Sequence, residues 1–289
     1  MMNSKLIITI DTEVGEKAKK FKDGFEKLVI GKIGNEFYGV PKIMEISEKY
    51  EFKCVFFVDV YEYKRFGEDK FQLLCQEIDK RGHEVGLHTH PSYAYDENRI
   101  NMYEYSLEEQ IKIIKDGKEL IKKWIGKYPV AHRAGNYGAN DETLIALKEN
   151  NIFIDSSFFY RHPNSKINAP TINMPVLYKD VLQFPITVVK RIPRKKGIPI
   201  PIKWNYVKLD VNYLSSDKII DYLKELNNQV EYIILFLHSF SFINRKYTVD
   251  TIVTEVDSNS TETYEEVLTF CKKSNFKSIT FNEIVGGVI

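Results

Sequence analysis
Apolar, β-branched runs recur along the chain, and most of them stop abruptly at a polar group. Leu6 to Ile10 is the first, a short continuous run of the kind that forms a strand buried on both faces. It ends in Asp11 and Glu13, whose two-residue spacing puts both carboxylates on one side of an extended chain. Pro41 opens a helix over Val40 to Tyr50, as proline favours a first turn. Cys54 to Val58 predicts a second strand, and Glu68 to Lys80 an amphipathic helix with Phe71, Leu74, Cys75 and Ile78 on one face. Val85 and Leu87 make a third strand that runs into His88 and His90. Ser106 and Glu109 form a capping box for a helix reaching about Trp124. Val130 to Ala134 then carries Arg133, and Asn151 to Asp155 follows the helix Asp141 to Asn150. After a proline-rich, irregular stretch from Phe158 to Leu214, with short strands such as Val181 to Val189, come a helix from Ser216, the strand Tyr232 to Leu237 delivering His238, the helix Thr261 to Lys273 and a last strand, Ser278 to Phe281. Glu16 to Glu36 and residues 244–260 read as loops.

Strand and helix alternating at roughly 30 residues is the signature of a parallel sheet or barrel. No composition shift or repeat divides the 289 residues, so one domain is expected over 1–289. An apolar fraction of 43% suffices for a large core, and a net charge of +1 gives no argument for nucleic acid. Cys54, Cys75 and Cys271 are too far apart for a metal set and read as buried thiols in a reducing compartment. No apolar run approaches a membrane span, and MMNSK precedes the first strand without the apolar core of a secretory leader. The expectation is a cytoplasmic protein.

Parallel strands thus end in Asp11 and Glu13, in His88 and His90, in Arg133, in Asp155 and in His238. In α/β barrels that end of the strands carries the active site. Two histidines and a carboxylate are the ligand type of an open catalytic zinc site. A metal there lowers the pKa of a water, a second carboxylate takes its proton, and a histidine across the site protonates a leaving group. Hydrolysis of an amide or ester follows from that set.

The motifs TIDTE, GLHTHP, HRAGNYG, DSS and LFLHSF, in this order, resemble those of the polysaccharide deacetylase family (NodB homology, carbohydrate esterase family 4). The resemblance implies an α/β fold, a distorted (β/α) barrel of about seven parallel strands, and metal-dependent removal of an acetyl group from a sugar, usually with zinc. It implies Asp11 as general base and Glu13 as the metal-binding acid, since Thr12 stands where the family commonly has that acid. His88 matches the first metal histidine. The second is expected at position 92, which is Ser92, so His90 takes its place. Arg133 matches the arginine bracing the catalytic aspartate, with Ala134 and Gly135 where the family carries proline. Tyr137 falls where a backbone amide assists the oxyanion. Asp155 matches the acid orienting the catalytic histidine, and His238 matches that histidine, the general acid.

His83, His132 and His162 have no motif support. Phe240, Phe242, Tyr93 and Tyr95 are cleft candidates, with ordinary packing the alternative. The basic run Lys190, Arg191, Arg194, Lys195 and Lys196 suits a phosphate-bearing glycan precursor or simply a solvated loop. The expected partner is a small-molecule or glycan substrate. Competing functions are an amidohydrolase on another small acyl amide and a non-catalytic carbohydrate-binding descendant.

Overall fold
The structure, a computed structural model, describes residues 4–191, 194–195, 198–199 and 205–287. Seven parallel strands form its centre: β1 (Lys5–Thr12), β2 (Cys54–Asp59), β3 (Glu84–Thr89), β4 (Ala131–Ala134), β5 (Ile154–Asp155), β6 (Val181–Gln183) and β7 (Tyr232–His238). Their order in the sheet is β7-β1-β2-β3-β4-β5-β6, and Val176–Tyr178 pairs antiparallel with β6 at the edge. The sheet curls into a half-barrel. Single strand-like contacts cross the gap between β6 and β7. Phe236 N donates to Leu209 O at 2.8 Å, Leu209 N to Thr187 O at 3.4 Å, and Ile234 N to Thr187 Oγ1 at 2.8 Å.

Helices α1 (Val40–Lys49), α2 (Glu68–Lys80), α3 (Leu107–Ile125), α4 (Asp141–Glu149), α5 (Ser216–Leu226) and α6 (Ser258–Lys273) connect or flank these strands. Their ends follow local chemistry. Ser106 and Glu109 close the expected capping box of α3, and Gly126 stops it in the left-handed conformation at φ 76. Asn140 accepts from Thr143 N to start α4.

The strand period of two sorts side chains between two cores. Ile7 of β1, Val55 and Phe57 of β2, Ala131, Ile154, Phe184 and Ile234 pack together inside the curl, closed at one end by Phe281. Their neighbours in sequence, including Leu6, Ile8, Cys54, Phe56 and Leu235, pack in the larger cluster beneath the helices. All three cysteines are buried and free.

Some expectations are corrected. The stretch Glu16 to Glu36 contains short helical turns at Glu16–Ala18 and Phe25–Val29, then a hairpin pairing Lys32–Ile33 with Glu36–Phe37. Residues 244–260 are not a plain loop. Ile243–Tyr247 pairs antiparallel with Ile252–Val256, and α6 begins at Ser258. Ile243 and Ile252 are buried there, and the charges on the outer face disguise the pattern. The expected strand Ser278–Phe281 shrinks to Lys277–Ser278, because Thr280 caps a terminal helix, Phe281–Gly286, whose first residue plugs the barrel. Among the described residues no helix is long and apolar enough to cross a membrane.

Candidate active site
Register brings the polar strand ends together. Asp11 lies opposite His238 on β7 and Phe57 on β2, Asp59 opposite His88, and His88 opposite Arg133. Ile7, Thr9 and Asp11 lie on the same side of β1, so the carboxylate of Asp11 stands on the inner face above an apolar floor.

Arg133 is the centre of this layer. It is fully buried, 4.3 Å above the Phe57 ring and 5.2 Å from that of Phe236. Its Nη1 donates to Asp11 Oδ1 at 2.7 Å and Thr9 Oγ1 at 3.1 Å. Its Nε donates to Ser156 O at 3.1 Å and its Nη2 to Ser156 Oγ at 2.9 Å. Burial pushes the Asp11 carboxyl up, but Arg133, with His88 and His238, outweighs it, and the net direction is down. Asp11 is therefore held ionised.

Glu13, His88 and His90 form a buried triad whose ligand atoms all lie within 4.8 Å of one another. His88 Nε2 is 3.4 Å from Glu13 Oε2, and His90 Nε2 is 2.6 Å from the same oxygen. His88 Nδ1 contacts the Arg133 carbonyl at 2.8 Å. A carbonyl only accepts, so in a neutral ring Nδ1 carries the hydrogen and Nε2 offers a lone pair, the tautomer a metal ligand needs. Glu13 Oε2 and both nitrogens of His90 are buried without a properly aligned hydrogen-bond partner, despite the 2.6 Å contact. Buried polar atoms are seldom left so.

These residues fit a divalent cation. Zinc with bonds of ~2.0–2.2 Å spaces tetrahedral ligands ~3.3–3.6 Å apart, and the His88–Glu13 separation falls in that range. The surroundings are acidic as well. Asp59, buried at the end of β2, has an orphaned Oδ2 and accepts from His90 N at 3.5 Å. Buried Glu62 accepts from the amides of Val14 and Gly15, which fixes the turn carrying Glu13. Burial lowers the His90 pKa, yet Glu13, Asp59 and Glu62 override it and drive the ring up to about 10. Burial raises the Glu13 carboxyl, but the two histidines bring it well below its ordinary range.

His238 stacks on Phe240 (4.8 Å, 12°) and sits edge-on to Phe236 at 4.9 Å. Burial and nearby Lys208 push its imidazole down to about 4. Lys208 Nζ donates to Tyr137 Oη at 2.9 Å and pairs with buried Asp210 at 3.0 Å. Tyr137 and the preceding Asn136 both have left-handed backbones, φ 57 and 53.

One expectation is corrected by this geometry. Asp155 does not orient His238. Ile154 faces the inner core, so the next residue turns outward. The Asp155 carboxylate contacts His132 Nδ1 at 2.7 Å and accepts from Ser157 Oγ at 2.7 Å, while His132 Nε2 meets Thr89 Oγ1 at 3.0 Å. This fully buried group braces β3, β4 and β5 from the outer side. Phe242 and Tyr93 belong to the core, and Phe240 packs on His238. Sequence reading passed over Asp59, one residue past the expected end of its strand, and Glu62, Lys208 and Asp210. Of the basic run, Lys196 and the side chains of Arg191, Arg194 and Lys195 lie outside the described residues.

Residues 35–152 match the model of a family described as polysaccharide deacetylase. A polysaccharide deacetylase structure from Mycobacterium smegmatis, itself assigned only by likeness, superposes with a TM-score of 0.60 at 16% identity, covering 99% of this chain and 90% of that one. A family 4 acetyl xylan esterase from Clostridium thermocellum, solved with cobalt, gives 0.50 at 14% identity, with coverage of 98% and 91%. A CE4 family pseudoenzyme from Bacillus anthracis gives 0.51 at 12%, with coverage of 98% and 65%. Among curated proteins, the small ribosomal subunit protein uS15 of Methanococcus vannielii is 27% identical over 103 residues, 36% of this chain; the chain spans 65% of that protein's length. At these identities the solved structures speak for the fold, and the family match speaks for the sequence between β1 and β5. The sequence thus resembles the polysaccharide deacetylases over residues 35–152, less than half of the chain, and the whole chain shares the fold of the solved structures.

Proposed function
We propose that the protein is a metal-dependent hydrolase that removes an acetyl group from an acetylated sugar or glycoconjugate precursor. The observation that carries this reading is the buried Glu13–His88–His90 triad with orphaned ligand atoms beside an ionised Asp11. Glu13, His88 and His90 would hold the divalent ion, most simply zinc. Bound there, the ion lowers the pKa of a water and polarises the acyl carbonyl.

The chain's own residues do the rest. Asp11, whose Oδ2 lies 4.0 Å from His88 Nε2, takes the proton of the attacking water. Arg133 occupies only the other oxygen of Asp11, so the carboxylate keeps one oxygen for this task while its position is fixed. His238, across β1 from the ligands, delivers a proton to the departing nitrogen or oxygen. Its resting ring is neutral at pH 7, so it is charged within the turnover by taking up one proton from solvent, which balances the proton that Asp11 removes from the water and later returns to solvent. Negative charge developing on the substrate beside it raises its basicity at that moment. Tyr137, held through its hydroxyl by Lys208, would offer its backbone amide to the developing oxyanion.

The test is metal content and acetate release together. Wild type is expected to bind about one zinc-like ion per chain and to release acetate from an acetylated amino sugar. His88→Ala and His90→Ala should lose the metal, while Asp11→Asn should keep it and lose ~10²–10⁴ in rate. Wild type that binds neither zinc, cobalt nor nickel defeats the proposal.

A further inference from the structure
Gly135 follows β4 and meets the second histidine of the triad. A Cβ built on it would lie 2.3 Å from His90 Nε2, 2.4 Å from Cε1 and 2.5 Å from Cδ2. The sheet register explains the encounter. Thr89 lies opposite Ala134, so one step further along the parallel pair His90 comes opposite Gly135. Gly135 is not among the glycines with positive φ, so its backbone is open to any residue and the requirement for glycine is purely one of space.

The His90 ring has nowhere to retreat. It is 3% exposed, stands edge-on to the His88 ring at 5.1 Å, and touches Glu13 at 2.6 Å. The edge turned to Gly135 carries Nε2, the same nitrogen that approaches Glu13. A methyl at position 135 would therefore stand where His90 presents its lone pair.

We infer that Gly135 is a positioning residue for the metal centre: its missing side chain is the space through which His90, two residues after His88, reaches the ligand set. This rests on the metal reading above. The short His-x-His spacing and the glycine two residues after Arg133 are then one coupled feature of the chain. A histidine placed so close along the strand enters the site only where the neighbouring strand leaves a gap.

The experiment is a zinc and cobalt titration of the full chain as wild type, Gly135→Ala, His90→Ala and the double variant, with thermal melting of each metal-free protein. Gly135→Ala is expected to weaken metal binding by ~10–100-fold, the scale for residues that orient ligands, and to alter the cobalt absorption spectrum. The metal-free double variant should melt no lower than metal-free His90→Ala, because the methyl acts only through that ring. Gly135→Ala binding within twofold of wild type, or a further fall in Tm when Gly135→Ala is added to His90→Ala, would overturn the inference and leave the metal reading standing. A wild type without metal overturns both. If Gly135→Ala does not fold, adding His90→Ala should restore folding by removing the clash, and failure to restore it counts against the inference.

Discussion
Replacing Arg133 with methionine tests the buried polar layer most directly. Methionine keeps much of the apolar stem over Phe57 and Phe236 but removes the charge facing Asp11. Breaking a buried ion pair from one side costs ~3–5 kcal/mol, because the remaining charge is left uncompensated. Thr9 Oγ1, Ser156 O and Ser156 Oγ also lose their donor. Part of that loss relaxes, so about 4 kcal/mol is expected. For a chain of 289 residues the unfolding entropy is ~0.6 kcal/mol/K near 60 °C, which turns this into a fall of roughly 7 °C in Tm. The pH dependence gives the sign. The folded pKa of Asp11 is depressed, so its contribution is fully present above the unfolded value of about 3.9 and is lost as pH falls through the folded value. The difference between wild type and variant should be largest near neutrality and shrink on acidification. Adding Asp11→Asn should recover part of the loss, since the orphaned charge is gone. Urea denaturation between pH 3 and 7 measures all of this. A loss under 1 kcal/mol, or one that does not change with pH, would refute the account of Arg133 as the counter-charge to Asp11.

Asp155→Asn should lower Tm by weakening the His132 bond while leaving metal affinity and kcat within a fewfold of wild type; a kcat loss of a hundredfold at intact metal binding would return Asp155 to the reaction. Burial pushes Glu84, at the far end of β3, up to about 7, and its Oε1 has no partner. That folded value lies above the unfolded ~4.3, so stability falls as pH rises between the two. Glu84→Gln should melt above wild type at pH 8, by an amount on the order of 3 kcal/mol, with the two curves converging toward pH 4. Equal melting at pH 8 would show that the site hydrates the carboxylate.

Local pattern was enough to find every one of the seven parallel strands at least in part, because buried parallel strands are short apolar runs and their helices carry caps such as Ser106 and Glu109. The same runs pointed to Asp11, Glu13, His88, His90, Arg133 and His238, since each sits at a strand's carboxyl end where the sheet stops covering it. The two-residue spacing also set His90 beside His88. What it could not supply is which residues face one another across strands, since register and closure depend on contacts between residues far apart in the chain. Tertiary structure alone turned Asp155 toward His132, set Asp59 beneath His90, and brought Lys208 and Asp210 out of an irregular segment to the neighbourhood of His238. It also placed Gly135 against His90. Side-chain type decides what chemistry a residue offers, but the pleat and the register decide which partner receives it.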